Sequence, residues 1–425
     1  MERLISDSSL TYMFVGQVIK KNEIHNLHQY ERSVKTVKHI LTVLIALMFL
    51  FLVACEGPAG PQGPQGPAGV NAGFVYFEGF KDSLRCGTCH TPDNDTAKFL
   101  LARRLEYESA GHQEGTAWAR GINSTTCASC HITEGYIEMA KGNYASQATK
   151  AYNNGTPPGC FTCHSPHAKG DFSLRKTDAI NVKSFVAGAA DLQFNVGASN
   201  TCVTCHRTRE TSPMSPIPDP TKTAATDSIV ITSNRFYPHY GVQGQILMGK
   251  GGFEFAGYTY PSSFHKTLAE GKNIQCADCH MAKPTVVVEG KPAAGGHTLK
   301  IGYLASSTAT SRTMYVAGCR ASGCHTDITS NTMTEANFLN YRSAQKDVEK
   351  GLDSLRTLLV NKGWLNPSTN LANASTSAPL VIKPAYKAGA LFNFFFLEHE
   401  GSHGIHNTKY AKALLDASIA ELNKP

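Results

Sequence analysis

The chain has 425 residues, of which 13 are cysteine and 17 are histidine, and its formal net charge is +7. So many cysteines are unusual for a protein of a reducing compartment, but they are ordinary for an exported or metal-loaded one. The small excess of basic side chains gives no argument for binding to nucleic acid.

The first predicted element is an export signal. Residues 40–53 form a 14-residue apolar run, ILTVLIALMFLFLV, which follows Lys35 and Lys38. The run is short for a bilayer span, which takes about 20 residues, whereas a charged start, a short apolar core and small residues before the cut are typical of a signal peptide. The sequence LVAC, ending at Cys55, is similar to a bacterial lipobox, whose cysteine is lipidated. We therefore expect residues 1–54 to be a leader, with an uncut signal anchor as the alternative.

Residues 1–33 are polar and mixed, which is unusual ahead of a lipoprotein leader. The segment from Val34 is a complete leader by itself, so we expect translation to start at about Val34.

A spacer follows the leader. Residues 57–69 read GPAGPQGPQGPAG, with Gly at every third position. The repeat is collagen-like but short for a triple helix, and an extended polyproline-type segment at about 3.1 Å per residue would reach on the order of 40 Å. We expect residues 55–69 to be a lipidated cysteine and a spacer that holds the working domain, from residue 70, away from a membrane. A trimerising segment is the alternative.

Five stretches share the pattern C-x-x-C-H, and 33 to 74 residues separate the starts of successive ones. The pattern is the attachment signature of c-type haem, in which two thiols bond to the haem and the adjacent imidazole becomes an axial ligand of the iron. One such motif alone could be half a zinc site or a redox dithiol, but zinc sites need paired groups of ligands and each motif here has its own His. The motifs are Cys86, Cys89 and His90; Cys127, Cys130 and His131; Cys160, Cys163 and His164; Cys202, Cys205 and His206; and Cys276, Cys279 and His280.

A sixth motif is longer. Residues 319–325 read CRASGCH, in which four residues lie between Cys319 and Cys324 and His325 follows directly. The attachment chemistry needs two thiols near the haem and a His after the second, and the loop between the thiols can lengthen by bulging outward. The stretch resembles the C-x4-C-H variant of tetrahaem cytochromes, so we predict six covalently bound haem c groups. A structural disulfide beside a bystander His is the alternative.

Six irons with two axial imidazoles each need six distal histidines. Eight further histidines follow the leader, two more than the number required. They are His112, His167, His239, His265, His297, His399, His403 and His406.

The last predicted elements are helices. Signals for secondary structure are weak between Cys86 and Cys324, whereas residues 336–365, 385–400 and 407–422 have apolar side chains at helical spacing. Asn331 or Thr332 can begin the first helix, and Gly363 can end it. We predict a mainly α fold with extensive irregular loops, in which residues 70–330 enclose a multihaem cytochrome c array as core and a helical C-terminal region, 331–425, packs on it.

Two segments resemble the multihaem superfamily that includes pentahaem nitrite reductases and octahaem hydroxylamine enzymes. They read ESAGHQEGTAWARGINSTTCASCH, from residue 108, and SSFHKTLAEGKNIQCADCHMAKP, from residue 262. The resemblance covers about residues 86–420, and it implies that His112 and His265, upstream of motifs, are distal ligands. The contexts SPH, PHYG and GGHT and the terminal H-N pair imply the same role for His167, His239, His297 and His406, and favour His406 over His399 and His403.

One departure from the enzymes bears on function. The nitrite reductases have Lys in place of the proximal His at their catalytic haem, whereas all six motifs here end in His. We therefore expect an electron-transfer cytochrome without a catalytic residue, which serves anaerobic or extracellular respiration as a lipoprotein at the outer membrane or cell surface. A position on the periplasmic side is the alternative.

The expected partners are other redox proteins, such as cytochromes or a quinol-oxidising complex, an extracellular or periplasmic electron acceptor, and a membrane through Cys55. Assembly into a homo-oligomer or filament stays open. Two other classes of function stay open as well: a multihaem reductase of a nitrogen or sulfur oxyanion, which needs an open haem site, and a haem-bearing structural or adhesive surface protein.

Six haems per mature chain are the first testable prediction. Pyridine haemochrome analysis together with the intact mass should report six covalent haems, and Cys319→Ala should weaken attachment at the sixth motif and leave five. A wild-type chain that carries five haems would contradict the assignment of CRASGCH.

Overall fold

The computed structural model describes residues 100–142, 151–209, 214 and 216–425, together with Lys35, Lys38 and Lys81. The chain divides into two units, residues 1–70 and 71–425. The apolar run, Cys55, the spacer and the first motif, Cys86, Cys89 and His90, lie outside the described residues. The expectations for these segments, and the predicted domain boundaries, stay predictions.

The predicted fold class is confirmed, because the described part is mainly helical with long irregular loops. Before residue 330 the helices are short, as the weak sequence signals indicated. They are α1 (Leu100–Glu108), α2 (Gly111–Glu114), α3 (Ala128–His131), α4 (Thr133–Ala140), α5 (Cys160–Cys163), α6 (Pro166–Lys169), α7 (Ser199–Val203), α8 (Gln243–Leu247), α9 (Phe264–Glu270), α10 (Cys276–His280) and α11 (Ala317–Arg320).

The strands are short and antiparallel, and they form small separate sheets. β1 pairs with β2, β3 with β9, β4 with β5, and β7 lies between β6 and β8. The strands are β1 (Ile180–Val182), β2 (Leu192–Phe194), β3 (Ile229–Ile231), β4 (Val287–Val288), β5 (Lys291–Pro292), β6 (Gly302–Leu304), β7 (Arg312–Tyr315), β8 (Thr332–Thr334) and β9 (Leu380–Ile382).

The C-terminal region contains the three longest helices of the described part of the chain. They are α13 (Ala344–Asn361), α14 (Ala388–Glu400) and α15 (Thr408–Asn423), and the short helix α12 (Glu335–Asn340) precedes them. Helix α13 buries Val348, Leu352, Leu355 and Leu359, whose spacing of three or four residues places them on one face. None of the helices in the described part of the chain is long and apolar enough to cross a membrane.

The predicted start of the first C-terminal helix was wrong. Residues 332–334 form strand β8, and the side chain of Thr334 caps α12 by accepting the N–H of Asn337 at 3.2 Å. The predicted single segment also breaks between α12 and α13, where Arg342 and Ser343 have φ values of 50° and 56°. A left-handed backbone cannot continue an α-helix. These two residues therefore separate α12 from α13, which begins at Ala344 with a new helix axis.

One hydrophobic core joins the C-terminal helices to the middle of the chain. It combines residues of α13, α14 and α15 with apolar side chains from residues 185–255, and β9 pairs with β3, placing Ile382 opposite Ile229. Helix α14 is buried on almost every side, from Ala388 to Leu397. The helical region therefore shares its core with the part of the chain that carries the haem motifs.

A buried amide holds this core together. Asn393, in α14, has no exposed surface. Its Oδ1 accepts the N–H of Phe253 at 2.7 Å, and its Nδ2 donates to the C=O of Phe253 at 2.8 Å and to the hydroxyl of Ser418 at 3.0 Å. One side chain thereby satisfies both polar groups of a buried peptide and connects α14 to α15.

Asn393→Ala should destabilise the folded protein by about 2–4 kcal/mol, because each buried polar group left without a partner costs about 1–3 kcal/mol. The melting of the haem-loaded protein, followed by circular dichroism, measures this. The exposed Asn423→Ala, in α15, is the control and should shift stability by no more than about 0.5 kcal/mol. Equal melting of the two variants would contradict the role of Asn393.

Candidate haem sites

The C-x-x-C-H motifs of the described part close single helical turns. The N–H of His131 donates to the C=O of Cys127 at 3.0 Å, and the same bond joins His164 to Cys160 at 3.0 Å. Residues three and four apart lie on one face of a helix. Both thiols and the imidazole of such a motif therefore point to the same side.

The longer sixth motif closes in the same way. The N–H of His325 donates to the C=O of Cys319 at 3.1 Å, although two more residues separate them than in the shorter motifs. Three of the four residues between the two cysteines form a 3-10 turn, Ala321–Gly323, in which Gly323 has a φ of 75°. The loop therefore bulges while His325 keeps the usual contact with the first cysteine.

Five motif histidines each lie beside a histidine from a distant part of the chain. The centroids of the paired rings are 6.0 to 6.4 Å apart. The pairs are His206 with His112 at 6.0 Å, His131 with His239 at 6.2 Å, His164 with His297 at 6.4 Å, His325 with His265 at 6.1 Å, and His280 with His406 at 6.3 Å.

This spacing fits one iron between two imidazoles. A metal ion bonded to one nitrogen of each ring at about 2.0–2.1 Å would place the centroids about 6 Å apart once the size of the rings is added. Aromatic rings in direct contact also span about 4.5–7 Å, so this distance identifies a metal site only together with a second observation. Two thiols also accompany every motif histidine in these pairs, as covalent attachment of a haem requires.

Four ring nitrogens are held by neutral hydrogen-bond acceptors. An imidazole that donates from Nδ1 keeps its proton there and leaves Nε2 free to bind a metal. The hydroxyl of Tyr341, which itself donates to Asp327, accepts from His325 at 2.9 Å. The other contacts are His206 Nδ1 to Gln243 Oε1 at 3.2 Å, His265 Nδ1 to the C=O of Ile405 at 3.0 Å and His280 Nδ1 to the C=O of Leu299 at 3.2 Å.

His406 has a charged acceptor instead. Its Nδ1 forms a short hydrogen bond with a carboxylate oxygen of Glu400. Although desolvation acts in the opposite direction, the charge of Glu400 raises the pKa of His406 above its ordinary value. Sequence reasoning missed Glu400, because a glutamate at the end of an apolar helix shows no motif.

His239 differs from the other paired histidines. The backbone N–H of Tyr240 donates to its Nδ1 at 2.7 Å, so the second nitrogen of a neutral His239 carries the ring proton. His399 lies nearby, with its ring 4.2 Å from that of Tyr240 and 4.5 Å from that of Tyr237. Its Nδ1 is buried and has no hydrogen-bond partner among the described residues.

Desolvation keeps several of these imidazoles neutral. It lowers the pKa of His239 and of His399 to about 4, and it also lowers the pKa of His131 and His280. Ligation of a metal needs a neutral imidazole with a free lone pair. The rings of His131 and His239 are therefore uncharged at neutral pH, although the lone pair on Nδ1 of His239 already accepts the N–H of Tyr240.

The motifs pack directly against one another. The fourth lies between the second and the fifth, because the thiol of Cys205 is a neighbour of that of Cys130 and the thiol of Cys202 is a neighbour of that of Cys276. The hydroxyl of Ser199, in α7, also accepts the N–H of Cys276 at 2.9 Å. These contacts bring the second, fourth and fifth motifs into one continuous row.

The row continues at both ends. Gly318, in α11, lies so close to α10 that a Cβ on it would fall 2.3 Å from the C=O oxygen of Asp278 and 2.7 Å from the Cα of Cys279. At the other end the hydroxyls of Thr162, in α5, and Thr133, in α4, hydrogen-bond at 3.0 Å. The order of neighbouring motifs is therefore third, second, fourth, fifth and sixth.

Three predicted histidines have other surroundings. The C=O of His167 accepts the N–H of Lys81 at 2.9 Å, which places His167 beside Lys81. His403 contacts Glu349, with Nδ1 and Oε1 2.9 Å apart. Neither His399 nor His403 pairs with a motif histidine in the described part of the chain.

The described cysteines and acidic side chains show no competing site. No disulfide joins any of the ten cysteines that the structure describes, Cys319 and Cys324 included. Among all the residues that the structure describes, no group of three or more His, Cys, Asp or Glu side chains is arranged to hold a metal ion.

No family model and no curated protein matches the chain. Among solved structures, the crystal structure of the outer cell wall cytochrome OcwA matches with 19% sequence identity and a TM-score of 0.43. The match covers 76% of this chain and 50% of that chain, so the protein spans about half the length of that cytochrome.

Gly318→Ala tests the contact between the fifth and sixth motifs. The added Cβ would collide with backbone atoms, so we expect a loss of stability of about 1–3 kcal/mol and incomplete attachment of haem at one of the two motifs. Melting and the intact mass measure these effects. Gly111→Ala is the control, since it neighbours His112 but a Cβ there meets nothing within 4 Å; identical behaviour of both variants would refute the contact.

Proposed function

We propose that the protein is an exported electron-transfer cytochrome that binds six haem c groups, each between two histidines. The observation that carries the proposal is the set of five ring pairs at 6.0 to 6.4 Å, each of which joins a motif histidine to a distant one. A single pair at this spacing could arise by chance, but five pairs beside five pairs of thiols are expected of haem attachment.

The chain's own residues would hold the groups. The motif cysteines would form the thioether bonds, and the paired histidines would fill both axial positions of each iron. Bound haem c would supply one-electron chemistry between iron(III) and iron(II). The acceptors at Nδ1, such as Gln243 and Tyr341, would keep the ring proton away from the metal and fix the orientation of the rings.

The sixth group is assigned to the first motif. Cys86, Cys89 and His90 would bind it, with His167 as the distal ligand. The hydrogen bond from Lys81 to the C=O of His167, at 2.9 Å, supports this, because only four residues separate Lys81 from Cys86. Five of the six proposed distal ligands therefore rest on ring pairs, and His167 rests on this backbone contact.

The packing of the motifs supports a role in conduction. Since motifs three, two, four, five and six are neighbours in that order, an electron could enter near one end of the row and leave at the other. The fourth motif, with Cys202 and Cys205, would be the junction between the two halves. We propose that other redox proteins and an extracellular or periplasmic acceptor meet the ends of this row, and that lipidation at Cys55 keeps the protein at the outer membrane or cell surface.

A reductase of a nitrogen or sulfur oxyanion is the second candidate, and one observation favours it at one site. His239 accepts a hydrogen bond at Nδ1, unlike the four histidines that donate to neutral acceptors. If its imidazole did not bind the iron, the site between His131 and His239 would have a vacant position for a substrate. His399 and Tyr240 would then border that position.

Spectroscopy of variants separates the two candidates. In an electron carrier, all six haems are low-spin in the wild type and carbon monoxide leaves the reduced spectrum unchanged. His239→Ala should then convert one haem of six to a high-spin form that binds carbon monoxide, because one axial ligand is lost. Electron paramagnetic resonance and the carbon monoxide difference spectrum measure both properties.

His399→Ala and His403→Ala are the matched controls, and both should retain six low-spin haems. A wild-type protein that already shows one high-spin haem, with turnover of nitrite or hydroxylamine, would replace the carrier by the reductase.

A further inference from the structure

Glu400 is a buried carboxylate at the carboxyl end of α14. Its side chain is 1% exposed. One carboxylate oxygen accepts the N–H of Ser402 at 3.0 Å and the hydroxyl of Ser402 at 2.7 Å, and the other meets Nδ1 of His406. Ser402 therefore holds the carboxylate in place through one oxygen, and the other oxygen contacts His406.

The position is unfavourable for a negative charge. The carboxyl end of a helix already carries a partial negative charge, and burial of a carboxylate is costly unless it is paired. Stabilising α14 does not explain Glu400, whereas contact with His406 does.

Glu106 provides a contrast within the same chain. Its side chain is 4% exposed, and Oε2 lies 3.4 Å from Nδ1 of His297. Its charge is balanced, however, by Arg103, whose Nη1 lies 2.7 and 3.0 Å from the two carboxylate oxygens. In the described part of the chain, no Lys or Arg forms an ion pair with Glu400, and Nδ1 of His406 is the side-chain nitrogen that contacts its carboxylate.

We propose that Glu400 is a positioning residue that lowers the reduction potential at the fifth motif by acting through His406. This inference rests on the proposed function. A carboxylate at Nδ1 makes an imidazole a stronger donor to its metal and so stabilises the more oxidised form. In the couple, iron(III) gains one electron from a reduced neighbouring haem or an added chemical reductant and becomes iron(II), while the ring proton stays between Glu400 and His406.

The reduction potential should therefore differ from one motif to the next along the row. At the sixth motif, His325 and His265 are held by the hydroxyl of Tyr341 and the C=O of Ile405, both neutral. Among the motifs that the structure describes, only the fifth combines a neutral acceptor, at His280, with an unbalanced carboxylate, at His406. An electron in the row would therefore be less stable at the fifth motif than at a site with two neutral acceptors.

The test is a potentiometric titration of the haem-loaded protein, with Glu400→Gln compared with the wild type. Glutamine keeps the shape and an acceptor oxygen but removes the charge. One haem of six should become easier to reduce by about tenfold in its equilibrium constant, which is about 59 mV for one electron. One low-spin signal in the electron paramagnetic resonance spectrum should shift, and six haems should remain bound.

Glu349→Gln is the matched control. Glu349 meets Nδ1 of His403 at 2.9 Å, but His403 has no partner ring among the motif histidines of the described part, so its loss should leave all six potentials unchanged. Ser402→Ala is a second test if Glu400→Gln fails to accumulate. Removal of the hydroxyl makes the carboxylate a stronger acceptor for His406, so the same haem should become harder to reduce.

The outcomes are distinct. Unchanged reduction potentials in Glu400→Gln, or in Ser402→Ala, would overturn the role of Glu400. If the wild type then still showed six low-spin haems, the proposed function would stand. A new high-spin haem in Glu400→Gln would mean that Glu400 only holds His406 in place, which also overturns it. A wild-type protein without six low-spin haems would instead refute the proposed function itself.

Discussion

The spacing between paired imidazoles is the constraint on which the rest of the structure depends. Partners are as few as 60 residues apart, for His265 and His325, and as many as 133 apart, for His164 and His297. Local structure cannot hold such pairs at about 6 Å, so the loops between them must close around each site. Because closure entropy grows slowly with loop length, long irregular connections are tolerated when bound groups stabilise the closed state. Short helices joined by long loops, as in the region before residue 330, are the form that this constraint produces.

The segment between α14 and α15 shows what the C-terminal helices contribute. Ile405 accepts the ring N–H of His265, His406 pairs with His280, and Asn407 both accepts the N–H of Ser263 at 2.7 Å and caps α15. Three consecutive residues thus reach two candidate sites and a helix end. The helices on either side are packed in the largest core, so this segment is fixed by a rigid base.

The sequence predicted the parts of the protein whose signals are local. The motifs are contiguous, and the helices from Ala388 and Thr408 follow apolar periodicity, so both were visible in advance. The break at Arg342 and Ser343 was not, because neither residue usually adopts a left-handed backbone and tertiary packing imposes it. The resemblance singled out six distal histidines, but it could not say which motif each one faces, since pairing depends on the folded chain. The roles of the six as ligands stay predictions. Glu400 was missed because only its burial beside His406 makes it notable.

Anomalous diffraction at the iron absorption edge tests the central claim most directly. Crystals of the haem-loaded protein should give six iron peaks per chain. Five should lie midway between His112 and His206, His131 and His239, His164 and His297, His265 and His325, and His280 and His406, and the sixth beside His90 and His167. An iron peak with only one histidine beside it, or a pair of these rings without a peak between them, would contradict the assignment of the histidine pairs.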